Sequence, residues 1–213
     1  MPAGRLSRRP NDPPREFPPV AHTNFVVLRH QRHLPHWDTV DQPQFITFRL
    51  HGSLPATRAF RREHVATSGK AFAMMDRLLD KGATGPLYLK RPEIAELVVN
   101  ALIDSDLRFE RCKLHAFVAM PNHVHLLATQ LAPFAKWLGP LKGFTANQAN
   151  KALGLKGGPF WQNESYDHSV RNDEEFLRIQ RYIERNPVRA GLAGTPEEFR
   201  WSSAGAAWLR PNP

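Results

Sequence analysis

The sequence predicts an α+β domain, and three observations carry the prediction. Strand-like and helical segments run in the order β, α, α, β, β, α, α, and two apolar runs flank Pro121-Asn122 as in a hairpin. No segment repeats at the roughly 20 to 50 residue periods that mark solenoids. A chain of 213 residues suits one such domain with a tail better than two.

Residues 1–19 hold six prolines and four arginines and almost no aliphatic side chains, so they bury too little apolar surface to offset the entropy of ordering. Residues 1–31 are therefore expected to form a flexible basic arm, residues 32–205 a single domain and residues 206–213 a tail. The stretch from Met1 to Trp37 carries a net charge of +4, which suits an arm that grips phosphates and equally a solvated leader. Phe45-Ile46-Thr47-Phe48-Arg49-Leu50 is aromatic and β-branched and stops at His51-Gly52, the signature of a strand. A helical pattern from Ala56 to Leu79 follows, with a break expected near Ser68-Gly69 and a stop at Gly82 and Gly85-Pro86. Pro92 suits a first helical position, and Ile94, Leu97, Val98, Ala101 and Leu102 continue a helix to about Asp104–Asp106.

Leu114–Met120 and His123–Thr129 are the two hairpin strands. After Pro133, Phe134, Trp137, Leu138, Leu141 and Phe144 recur at helical spacing towards Gly154, with an interruption expected at Gly139-Pro140. Ser165–His168 reads as loop or short strand. The last helix is the best signalled: Asn172 caps it, Glu175 stands where a capping box needs it, Asp173 and Glu174 complement its dipole, and Pro187 is expected to end it after Asn186.

Composition narrows the function. The chain has 29 Lys and Arg against 20 Asp and Glu, a net charge of +9 that favours polyanionic partners, although a bland basic protein would look the same. The lone Cys112 excludes an internal disulfide and zinc sites built on several cysteines. No apolar run approaches the roughly 18 to 20 residues that span a bilayer, and no signal-peptide h-region is visible, so a cytoplasmic protein with no membrane partner is expected.

His123-Val124-His125 places two imidazoles on one face of a strand, which suits either a divalent metal or an ordinary half-exposed histidine pair. A further ligand from Asp, Glu, Asn or Gln is expected rather than from Cys112. On the capped helix Tyr182 and Asn186 share a face, with Arg178 and Arg185 near it. Guanidinium groups there would ease ionisation of the phenol and cradle phosphate oxygens; otherwise the tyrosine simply snorkels. Lys142, Arg171, Arg181 and Arg189 are further candidates for phosphate contacts. Tyr166 is the rival nucleophile, and Phe160-Trp161 either stacks on a base or closes a core.

Three blocks, Met120-Pro121-Asn122-His123-Val124-His125-Leu126-Leu127, Gly158-Pro159-Phe160-Trp161-Gln162 and Arg181-Tyr182-Ile183-Glu184-Arg185-Asn186-Pro187-Val188-Arg189-Ala190-Gly191-Leu192, closely resemble the single-tyrosine HUH transposases, and the REP-associated tyrosine transposases most of all. Leu34-Pro35-His36-Trp37, Lys142-Gly143-Phe144-Thr145-Ala146 and Trp201-Ser202-Ser203-Ala204 extend the resemblance over about residues 32–204. It implies a ferredoxin-like fold with a central antiparallel sheet, a divalent metal (Mg²⁺ or Mn²⁺) on His123, His125 and Asn186, and Tyr182 as nucleophile. Classical insertion-sequence members tend to carry glutamine where Asn186 stands; both side chains offer an amide oxygen. The implied reaction is cleavage and rejoining of single-stranded DNA with an adjacent hairpin, through a 5′-phosphotyrosyl intermediate, by a monomer or homodimer. The alternative is a hairpin-binding protein of the same fold that no longer cuts.

Overall fold

The computed structural model describes residues 28–31, 35–38, 41–54, 69–82 and 84–205. The proposed arm up to residue 27, the tail beyond 205 and the first half of the helix expected from Ala56 lie outside the described residues. Strand β1 (Leu28–Gln31) pairs antiparallel with β2 (Pro35–Asp38), a short hairpin that the sequence reading did not separate into strands. Hydrogen bonding to residues 35–38 holds residues 28–31, the last four of the expected arm, in regular structure.

The main sheet is built on β3 (Pro43–Arg49), which pairs with β5 (His123–Gln130) on one side and β6 (Tyr166–Ser169) on the other. With β4 (Cys112–Met120) beyond β5, the order is β4-β5-β3-β6, antiparallel throughout. The chain leaves β3, forms α1 (Gly69–Lys81) and α2 (Pro92–Leu107), and returns as the edge strand β4. It then turns at Pro121-Asn122 into β5, crosses through α3 (Leu138–Ala152) to β6, and closes with α4 (Asp173–Arg189). From β3 to β6 this is the connectivity and sheet order of a ferredoxin-like α+β domain.

Both faces of the sheet are buried, which is why its strands read as near-continuous apolar runs. On one face Phe48, Leu50, Val124, Leu126 and Ala128 pack with Ile94, Val98 and Leu102 of α2 and with Leu138 and Leu141 of α3. On the other, Phe45, Val118, Met120 and Leu127 meet Phe176, Ile179 and Ile183 of α4. A bulge at His115 lets this work along β4. Leu114 pairs with Ala128 and Ala116 with Leu127, so the extra residue turns Leu114 to the α2 side and Ala116 to the α4 side. Phe160 and Trp161 close the α2–α3 core edge to face, with the Trp161 indole donating to Thr145 Oγ1 at 2.9 Å; they are core residues and no stacking platform.

Local chemistry sets the helix ends. Pro140 does not interrupt α3, because it falls in the first turn, where a missing N–H costs no helical hydrogen bond. Asn172 Oδ1 accepts from the Glu175 N–H at 2.8 Å, and the Glu175 carboxylate reaches back to the Arg171 N–H at 2.9 Å. Pro187 does not end α4 after Asn186. The helix runs on to Arg189 because Pro187 is itself buried, and Ala190 N–H still bonds the Asn186 carbonyl at 3.0 Å before Gly191 turns the chain at a positive φ. Gly85 has to be glycine: its φ is +75°, and a Cβ there would sit 2.2 Å from the Gly52 carbonyl oxygen.

Candidate metal and tyrosine centre

The centre lies on the α4 face, where the central strand β5 presents His123 and His125 on alternate residues while Val124 enters the opposite core. Both imidazoles are 0% exposed, which removes the half-exposed pair as an explanation. Their Nε2 atoms converge to 3.0 Å. From α1, Asp76 Oδ1 stands 2.9 Å from His125 Nε2 and 4.0 Å from His123 Nε2. Ligands bonded to one divalent ion at roughly 2.0–2.2 Å and at right angles to each other lie about 3 Å apart, so these three atoms have the spacing of a coordination shell.

The other ring nitrogens are held in place. Register sets Thr47 opposite His125, and Thr47 Oγ1 lies 2.7 Å from His125 Nδ1. Asn122 of the hairpin turn donates from Nδ2 to the Leu79 carbonyl at 2.9 Å, which turns its Oδ1 towards His123 Nδ1 at 2.7 Å. His123 therefore donates from Nδ1 and keeps a lone pair on Nε2 for the centre, the arrangement that orients ligating histidines. Burial first, then the neighbouring His125, lowers the His123 pKa well below the ordinary histidine value despite the opposing pull of Asp76. Both the lowered pKa and the Nδ1 contact favour the neutral, ligand-competent form of the ring.

Tyr182 on α4 lies edge-on to His125, with ring centroids 5.7 Å apart, and donates its hydroxyl proton to Asp76 Oδ2. Burial raises the Asp76 acid, but hydrogen bonds from His125 and Tyr182 and the two imidazoles outweigh it and bring the carboxyl down to about 2. Tyr182 moves the other way. Burial, the Asp76 charge and the hydrogen bond to it hold the phenol above its ordinary pKa, with Arg189 only partly opposing. The easier ionisation expected from Arg178 and Arg185 is thus corrected: both are exposed, Arg178 pairs with Glu175 at 3.1 Å, and the guanidinium over the Tyr182 ring is that of Arg189, 5.1 Å from its centroid.

Asn186, one turn beyond Tyr182, is 0% exposed, and neither Oδ1 nor Nδ2 has a hydrogen-bond partner among the described residues. A wholly buried amide without hydrogen bonds is costly, and an ion bound by Oδ1 would remove part of that cost. Two imidazoles, a carboxylate and an orphaned amide oxygen form a donor set that fits a divalent cation.

The remaining cations spread out. Arg171, just before the α4 cap, and Arg181 on α4 are exposed. Lys142 lies on the other side of the sheet, its ammonium bonded to the Gln162 and Asn163 carbonyls at 2.7 and 3.2 Å and set over Phe48. Tyr166 packs edge-on to Phe45, and burial raises its phenol too. Burial also pushes the Cys112 thiol up to about 12, in keeping with an inert core residue. Two residues at the centre escaped the sequence reading. Asp76 left one usable signal, a carboxylate between Phe72 and Leu79 on an otherwise apolar helical stripe. Arg49 left none: it is half-buried on the site face because it pairs across the strands with His123.

A ferredoxin-like sheet carrying a His-x-His pair on its central strand, with an acid and a tyrosine from two flanking helices, defines a candidate metal and tyrosine centre of an α+β protein. Residues 92–186, somewhat less than half of the chain, match the family described as IS200-like transposases. The match spans His123, His125, Tyr182 and Asn186 and leaves out Asp76 and Arg49. A Haemophilus influenzae protein described as uncharacterized is 26% identical over 38% of this chain, and the matched region spans 57% of that relative's length. A solved structure described as a REP-associated tyrosine transposase bound to a REP hairpin aligns over 90% of this chain and 89% of its own, with a TM-score of 0.46 and 18% identity. Among the described residues no helix is long and apolar enough to cross a membrane.

Proposed function

We propose that the protein cleaves and rejoins single-stranded DNA next to a hairpin by covalent catalysis from Tyr182. The observation that carries this reading is the convergence of the Tyr182 hydroxyl, Asp76 and the His123–His125 pair at one buried point, inside a chain whose central segment matches IS200-like transposases. His123, His125, Asp76 and Asn186 would hold the divalent metal, which supplies a Lewis acid for the scissile phosphate. In the attack, a bond forms from Tyr182 Oη to phosphorus and the bond from phosphorus to the 3′-oxygen breaks. The phenolic proton passes to Asp76 Oδ2, where it is already directed, and the departing 3′-oxygen takes a proton from water. Arg49, beside His123, would place a cation against the phosphoryl oxygens as charge builds on them. Attack by another strand's 3′-hydroxyl on the 5′-phosphotyrosine reverses these steps and joins the strands. Arg178, Arg181, Arg185 and Arg189 on α4, and Arg171 just before its cap, would contact flanking phosphates, and Lys142 at most a distant one.

Incubation with labelled single-stranded hairpin DNA and Mn²⁺ should yield an adduct that survives denaturation and is lost in Tyr182→Phe. Tight hairpin binding with no adduct would instead favour the non-catalytic reading, which the Asp76-bound phenol also accommodates. Cleavage that persists in Tyr182→Phe would point to water or Tyr166.

A further inference from the structure

Resting on that reading, we propose that a cavity beside Tyr182 receives an unstacked nucleobase bearing an exocyclic amino group, with the Asp80 carboxylate accepting from the amino group and Arg77, Lys81 and Arg189 holding the adjoining phosphates. The cavity is open to solvent, measures about 420 Å³ and is lined by Met74, Arg77, Leu78, Asp80, Lys81 and Arg189. That volume falls within the roughly 300–1,000 Å³ range of small-ligand sites. It adjoins the reacting centre on two sides. Arg189 covers the Tyr182 ring, and Asp80 lies one helical turn from Asp76, which accepts the Tyr182 proton.

The lining divides by chemistry. Met74 and Leu78 give apolar surface for the face of a base, while three cations give contacts for its backbone. Asp80 fits neither role. Its Oδ1 is shielded from solvent and has no hydrogen-bond partner among the described residues, although three basic side chains line the same cavity. A buried acceptor without a partner among the described residues suits a donor brought by a ligand once the Asp80 side chain turns to the cavity it lines, and a carboxylate accepting from the cytosine N4 amino group is an established base contact. Burial, followed by the charge of Asp76, pushes the Asp80 carboxyl up to about 6 against the pull of His125 and Arg189.

The test is binding of oligo(dC) and oligo(dT) of equal length, followed by fluorescence anisotropy in EDTA so that no strand is cut. Wild type should bind oligo(dC) about fivefold to tenfold more tightly. Asp80→Asn, close in shape but with an N–H in place of an acceptor, should bring the ratio to about one. Arg77→Gln and Lys81→Gln should weaken both oligonucleotides equally and each reduce the salt slope by about one, the mark of a lost phosphate contact. A ratio near one in wild type, or a preference unchanged in Asp80→Asn, overturns the proposal. Failure here is separable from failure of the tyrosine reaction: an adduct lost in Tyr182→Phe alongside equal binding removes the pocket alone. A preference abolished by Asp80→Asn in a protein that forms no adduct leaves the pocket standing without the chemistry.

Discussion

The side chains around Asp76 divide the work of one small volume: Asn122 and Thr47 fix the imidazoles, and Asp76 joins them to Tyr182. Because Asn122 orients His123 rather than touching a ligand itself, Asn122→Ala should weaken Mn²⁺ binding about tenfold to hundredfold in titration calorimetry, with the fold intact by circular dichroism. Asp76→Asn removes the charge and acceptor that hold the Tyr182 phenol up, so the titration of that phenol in metal-free protein should move down in pH, read by tyrosinate absorbance against a Tyr182→Phe blank. Arg49→Gln should slow adduct formation by roughly 10² to 10³ if its guanidinium meets the phosphoryl oxygens as proposed, comparable to losing one preorganised donor. At this scale the sequence was legible wherever spacing alone fixes a neighbour. His123 and His125 share a face by strand period, and Tyr182 and Asn186 by helix period. Asp76 and Arg49 arrive from elements distant in the chain, and only the docking of α1 and the β3–β5 register bring them in.

Among the elements, α4 has the clearest local code. Asn172→Ala should destabilise the protein by about 1 kcal/mol in denaturant unfolding, the usual cost of a lost N-cap. Burial opposes the ionised form of Glu175, but the Arg171 N–H and the His168 contact lower its acid below the ordinary value. Its contribution is therefore present above the unfolded glutamate pKa and is lost as pH falls through the lowered folded one. Glu175→Gln should accordingly flatten the acid limb of a stability–pH profile. The cap was readable because all its parts lie within five residues. The four-residue strands were less so: β1 and β2 have too few residues for a period to show, and β6, read as loop or short strand, exists because Gln44–Thr47 offer their free edge to residues 166–169. Pro187 misled for a related reason, since the local rule against proline in a helix was overridden where that proline is itself buried.

For the molecule as a whole, the edges of the sheet matter most. Ala119 N–H bonds the Trp201 carbonyl at 2.8 Å and Ser203 N–H bonds the Phe117 carbonyl at 2.9 Å, so the segment after α4 covers the otherwise open side of β4. Truncation after Phe199 should expose that edge and produce concentration-dependent association in light scattering. Hydrophobic pattern and hairpin signal had disclosed the order of the main elements, yet not this closure, whose partners are more than eighty residues apart. The separation of Asp76 from the histidines has a thermodynamic counterpart. An unfolded chain presents no such cluster, so any ion the centre holds is a ligand of the native state alone. Its chemical potential then acts on the folding equilibrium: free Mn²⁺ at a hundred times its Kd should deepen stability by about 2.7 kcal/mol and raise Tm, and chelation should reverse the gain.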